Sequence, residues 1–305
     1  MNTLTNQIDD YLVYCEYQKK LNSKTVKAYK TDLTQFALLT AKQDAPLTKG
    51  CITEYIQVLH TEFKPKSVKR KVASLRAFVN YLEFEEKISE NPLNKLRLGF
   101  REPTVLPRTL PLATIKKLFS TAYRSLGDAE SDEKRKTIAR DIAVLELLFA
   151  TGLRVSELCS ILDSQIDLRE GYVRVIGKGA RERVVFITNT EVLHALRQYK
   201  KLFLQQINNT GWFFINRLGK KLSEQSVRMM LEKYANQAKI TNHITPHMIR
   251  HSFATLMLEE DVDIRYIQSI LGHSSISTTQ IYTHVSMGKQ RKIMIKKHPR
   301  NRVLI

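Results

Sequence analysis

The chain has 305 residues and a formal net charge of +19, with 43% apolar and 26% charged residues. This composition is that of a globular protein and excludes a disordered or collagen-like chain, and the length predicts two domains. Three scattered cysteines, Cys15, Cys51 and Cys159, exclude a disulfide framework or a CxxC zinc site and fit a reducing compartment. No apolar run approaches the ~20 residues of a membrane span. The N-terminus lacks a basic region followed by an apolar one, so a cytoplasmic protein is expected. A charge surplus of this size attracts polyanions, nucleic acid first. An anionic membrane surface is the rival, but no long helix with one apolar and one basic face is evident.

The first hundred residues read as helices. Ile8, Tyr11, Leu12 and Cys15 follow the i, i+3, i+4, i+7 pattern. Tyr29, Leu33 and Phe36 mark a second helix, with Ser23 as its expected N-cap. Ile52, Tyr55, Ile56 and Leu59 mark a third after Thr48. A fourth carries the stripe Val68, Val72, Leu75, Val79 and Leu82. Around that stripe stand Lys66, Lys69, Arg70, Lys71 and Arg76. Such a face either lies on phosphates or is merely solvated, and the overall charge favours DNA contact. Three prolines and a glycine between Gly99 and Pro111 read as an interdomain linker.

The second part mixes helices with a little sheet. Ile138–Phe149 is an apolar helix interrupted by Gly152, and the polar segment 125–137 reads as an exposed loop. Tyr172–Ile176 and Arg183–Ile187 are β-branched runs flanking GKGARE, the pattern of a hairpin. Helices are predicted at about 191–206 and 223–238. Thr245-Pro246 opens another. A short helix runs from Asp263 to Gly272, and Ser277 with Gln280 opens one through Tyr282. The end is the most basic stretch: Val285–Ile305 holds seven Lys or Arg and no acid.

His243, His247 and His251 are evenly spaced, yet Met248 stands where a zinc protease needs its glutamate base, so no metal site is expected. A different set is more telling. Arg154 and Glu157 follow a glycine break, Lys178 sits in the hairpin turn, and His247 and Arg250 are i, i+3 on one helix. His273 follows the short helix, and Tyr282 lies nine residues later.

The text ATGLRVSEL at 150–158, VIGKGARERVVFI at 175–187, ITPHMIRHSFATLML at 244–258 and LGHSSISTTQIYTHV at 271–285 resembles the tyrosine recombinase (phage integrase) family, most closely its Xer-type members. The resemblance covers nearly the whole chain and implies a mainly α fold. A helical core-binding (SAM-like) domain at 1–100 would precede a linker at 101–110. An α+β catalytic domain with a small antiparallel sheet would follow at 111–287, and a basic C-terminal tail at 288–305. Arg154, Lys178, His247, Arg250, His273 and Tyr282 fill the family's six active-site positions.

The implied chemistry suits these residue types. Two guanidiniums would clamp the phosphate and stabilise its transition state. Tyr282 would be the nucleophile, giving a 3′-phosphotyrosyl link to DNA. His247 and His273 would exchange protons with it and with the phosphate, in either assignment. Lys178 would protonate the departing 5′ oxygen, and Glu157 would support Arg154 or His247. No cofactor is needed, because the covalent link retains the energy of the phosphodiester. The implied partners are double-stranded DNA with inverted half-sites and further copies of the chain, two per site and four in a synapse. A second recombinase or an accessory protein is left open, as is the choice between chromosome dimer resolution and movement of a genetic element. In Xer-like relatives a C-terminal segment passes between protomers, so the tail is expected to dock on a neighbour. The alternatives are a DNA-binding accessory protein without cleavage and a type IB topoisomerase-like enzyme.

Overall fold

The computed structural model describes residues 3–43, 45–96, 109–177, 182–260, 262–272 and 287–303. The chain divides into two compact units, Met1–Val105 and Leu106–Ile305.

Unit 1 is helical among the described residues. It comprises α1 (Thr3–Val13, running into a π turn at Tyr14–Gln18), α2 (Ser23–Leu39), α3 (Lys49–Glu62) and α4 (Pro65–Phe84). Thr48 caps α3 as expected, its hydroxyl accepting from the Cys51 N–H. The cap of α2 is Asn22 rather than Ser23, with the Asn22 side chain accepting from the Lys24 N–H at 2.9 Å. The α4 stripe is buried in one core with Leu33, Phe36 and Leu59.

That stripe includes Lys71, which corrects its expected place on the exposed basic face. Lys71 is 4% exposed. Its ammonium donates to Asp32 Oδ1 at 3.2 Å and to Gln35, and it lies 4.7 Å over the Phe63 ring. Asp32 is itself buried and also accepts from the Ser74 hydroxyl at 2.8 Å and from Arg70. A carboxylate inside the helix pair has drawn the lysine inward, because a buried charge must be paired. Lys66, Lys69, Arg70 and Arg76 remain on the exposed face.

Unit 2 is built around α6 (Asp132–Thr151). Between Ile138 and Thr151 every residue of α6 but Arg140 is buried, as in a helix threaded through a core. It packs against α5 (Leu112–Gly127), α8 (Thr190–Thr210) and α10 (Pro246–Glu259). The segment 125–137 is not a loop. α5 continues to Gly127, and Ser131 caps α6 by accepting from the Lys134 N–H at 3.3 Å. Its acidic first turn, Asp132 and Glu133, suits the positive end of the helix dipole, and its polarity reflects exposure.

Strands β1 (Ile166–Asp167), β2 (Tyr172–Ile176) and β3 (Glu182–Phe186) form an antiparallel sheet in that order, with Val173 opposite Val185 and Val175 opposite Arg183. The remaining helices are α7 (Val155–Cys159), α9 (Glu224–Gln237), α11 (Ile264–Leu271) and α12 (Met287–Lys297). Thr245 and Asp263 cap α10 and α11 as their sequences predict. The helix expected after Ser277 and most of the linker lie outside the described residues. Among those residues no helix is long and apolar enough to cross a membrane.

Part of the tail packs into its own unit. Met294, His298, Pro299, Arg300 and Val303 are buried. Arg300 Nε and Nη2 donate to Glu146 at 2.6 and 2.7 Å, and Nη2 lies 2.8 Å from Glu191. The guanidinium lies 5.2 Å over the Phe119 ring. Glu146 is fully buried in α6 and accepts as well from the Tyr123 hydroxyl at 2.7 Å. A carboxylate this deeply buried needs a cation, and Arg300 supplies it. His298 bonds through Nε2 to the Ala150 carbonyl, while its Nδ1 accepts from the Arg300 N–H at 2.9 Å. The neutral Nε2–H tautomer satisfies both contacts.

Two outcomes follow from these buried groups. Lys71→Met lowers the stability of unit 1 in denaturant titration by about 3–5 kcal/mol. Lys66→Ala, at an exposed position, changes it by less than about 0.5 kcal/mol. His298 is pushed down to about 4, by burial first and by the nearby Arg300 charge, against the Ala150 contact. The unfolded chain therefore takes up a proton at His298 first. Its contribution to stability is complete above the ordinary value of 6.5 and is lost as pH falls from there through about 4. Thermal melts should show this acid-side fall, and His298→Gln should flatten it.

Candidate active site

The site grows from the C-terminal end of α6. Gly152 takes φ +61 there, and a Cβ on it would meet Phe253 Cδ1 at 2.6 Å and Leu271 Cδ2 at 2.8 Å. Glycine alone fits, and it turns the chain sharply into Arg154 at the start of α7. Glu157, one turn on, reaches back: its Oε2 accepts from the Arg154 N–H at 2.9 Å, and its Oε1 from Arg154 Nη1 at 2.8 Å. Arg250 enters from α10 and is buried. Its Nη1 donates to the Gly152 carbonyl and its Nη2 to the Leu271 carbonyl, both at 2.7 Å. Arg154 Nη2 donates to the Gly272 carbonyl at 3.2 Å. Two arginines from different helices thus converge on the turn that ends α11.

A third arginine, which the sequence motifs did not single out, completes the cluster. Arg183 on β3 holds both oxygens of Glu157, Nη1 to Oε1 at 3.1 Å and Nη2 to Oε2 at 2.7 Å, and its Nε donates to the Ile270 carbonyl at 2.9 Å. Glu157 therefore pairs with Arg154 and Arg183. A hint was available in ARER, since one of two neighbouring strand residues must face inward. Nothing local in the sequence names its partner.

The electrostatics follow from this geometry. Burial by itself would raise the pKa of Glu157. Hydrogen bonds and charge from Arg183, then the backbone and side chain of Arg154, outweigh it and hold the carboxyl below its usual value. Burial first, then the charge of Arg154, brings Arg250 down to about 10, against the opposing pull of Glu157. It stays charged at neutral pH. Three guanidiniums and one carboxylate leave a positive surplus where Arg154 is still 32% exposed at its side chain. Such a place suits a phosphate and the added charge of its transition state.

His247 stands in the first turn of α10, exposed, one turn before Arg250 and beside His251. His251 is shifted downward by burial first, then by the charges of His247 and Arg250. Lys178, His273 and Tyr282 lie outside the described residues. The described structure thus brings Arg154, Glu157 and Arg250 together, with His247 on the same helix as Arg250. The basic residues of α4 belong to unit 1. Among the described residues no group of three His, Cys, Asp or Glu is placed to hold a metal.

Comparison with known proteins gives this arrangement its context. Residues 117–289 match the phage integrase family, and residues 8–86 match the phage integrase N-terminal SAM-like domain. A tyrosine recombinase of Agathobacter rectalis is 48% identical over 301 residues, covering 98% of each chain. Tyrosine recombinase XerD of Listeria innocua is 35% identical over 308 residues, covering 97% of this chain and all of that one. In fold, the chain resembles lambda integrase (75–356), solved as a dimer bound to a COC′ core site. There the TM-score is 0.69 at 19% identity, with 92% of this chain and 100% of that one covered. The chain belongs to the phage integrase family of tyrosine recombinases, as a Xer-type site-specific recombinase that cleaves and rejoins DNA.

Proposed function

We propose that Tyr282 cleaves a DNA phosphodiester held between Arg154 and Arg250, forming a 3′-phosphotyrosyl link and freeing a 5′ hydroxyl. The observation that carries this reading is the convergence of the two guanidiniums on adjacent carbonyls, Leu271 and Gly272. Those carbonyls immediately precede His273, and Tyr282 follows nine residues later. Fixed, charged donors beside a phosphate stabilise its transition state without reorganising. Tyr282 loses its proton to His247 or His273, the other histidine serving the phosphate, and Lys178 gives one to the leaving 5′ oxygen. The covalent link keeps the phosphodiester energy, so the hydroxyl of another strand reverses it with no cofactor.

The substrate in this reading is double-stranded DNA with inverted half-sites, in the cytoplasm. Residues 1–100 and the catalytic domain at 111–287, joined by a linker at 101–110, both contact it. Lys66, Lys69, Arg70 and Arg76 contribute charge from α4. Two copies occupy one site and four a synapse. The positive surplus of the chain and the dimeric, DNA-bound state of lambda integrase support this.

The test begins with a nicked duplex drawn from a randomised inverted-repeat pool by covalent capture on the wild-type chain. Tyr282→Phe should abolish capture and leave binding of that duplex nearly intact. Continued capture would move the nucleophile to another tyrosine. Capture should also persist in EDTA, since Arg154 and Arg250 supply the charge. Loss in EDTA that zinc or magnesium restores would overturn the metal-free reading.

A further inference from the structure

Three consecutive carbonyls end α11, and each accepts from a different arginine. Ile270 takes Arg183 Nε at 2.9 Å, Leu271 takes Arg250 Nη2 at 2.7 Å, and Gly272 takes Arg154 Nη2 at 3.2 Å. These are carbonyls that a helix end leaves without partners, at the negative end of its dipole. The three arginines come from β3, α10 and the α6–α7 turn. Resting on the reading of Arg154 and Arg250 as the phosphate clamp, we infer that Arg183 is the positioning residue that sets the clamp's geometry.

Arg183 is placed to orient rather than to bind. Its side chain is 13% exposed, and Nε, Nη1 and Nη2 all donate to protein oxygens. Two of these bonds fix the Glu157 carboxylate, and Glu157 in turn aims the partly exposed Arg154. The third fixes the carbonyl next to the one that holds Arg250. One rigid fork thereby references both clamp arginines to a single helix end. Gly272 keeps the space open: a Cβ there would lie 2.9 Å from Arg183 Nη1 and 3.1 Å from its Cζ. A lysine offers charge but no fork, so it holds Glu157 or Ile270 and not both.

The role predicts a defect that depends on the charge of the phosphate. Replacing a non-bridging oxygen at the scissile position by methyl gives a neutral methylphosphonate, which needs aligned guanidiniums far less. On the captured duplex with an ordinary phosphate, Arg183→Gln should cleave about 100-fold more slowly, with half-site affinity unchanged. On the methylphosphonate duplex the deficit should shrink to about 3-fold or less. Arg154→Ala serves as the internal standard and should recover in the same way. Failure of Arg154→Ala to recover sinks the clamp reading itself. Recovery of Arg154→Ala with Arg183→Gln equally slow on both duplexes, or at the wild-type rate on the ordinary one, overturns the role of Arg183. Should the glutamine chain not fold, Arg183→Lys decides by the same comparison, with a smaller deficit expected.

Discussion

The Glu157 carboxylate lies buried between two guanidiniums, and around it the catalytic unit faces its hardest electrostatic problem. Like charges in a small, poorly hydrated volume repel strongly. Arg154, Arg183 and Arg250 are close enough for their charges to act on one another. One carboxylate and three carbonyls at the end of α11 offset that repulsion without cancelling it. The positive charge that remains is what the proposed function uses to hold an anionic phosphate. The same charges that the fold must tolerate are those that the proposed phosphate clamp uses.

Much of this was legible in the sequence, and the reason is local. Gly152 and Gly272 announce left-handed turns, Thr245-Pro246 announces a helix start, and the i, i+3 spacing of Arg154 with Glu157 announces a contact within one turn. Each of these needs only neighbours in the chain. Lys71 shows where attention to charge overrode spacing: Val68, Lys71, Val72 and Leu75 follow the i, i+3, i+4, i+7 rule, so position 71 belongs to the buried stripe. Its partner Asp32 lies on another helix. The polar run at 125–137 reads as a loop because an exposed first turn of a helix and a loop have the same composition. Only the Ser131 cap separates them.

The partners of Arg183 and Arg300 were illegible for a deeper reason. Each arginine is one basic residue among 49, and each matters through a carboxylate far away in the chain, Glu157 or Glu146. Propensity and periodicity describe a residue's own element and carry no information about such pairings. The tail shows the effect most clearly. A stretch with seven cations and no acid looks destined for DNA or a neighbour, yet one of those cations enters the protein core.

The Glu146–Arg300 pair spans 154 residues, and this separation shapes how the protein is made. While the ribosome is still synthesising the sheet and the later helices, Glu146 has no arginine. Until then, packing α6 around Glu146 carries the cost of burying a carboxylate that lacks its cation. That pairing therefore waits for a residue 154 positions further along the chain. A chain cut before Arg300 would leave Glu146 without its cation within α6, where nearly every neighbour on the helix is buried.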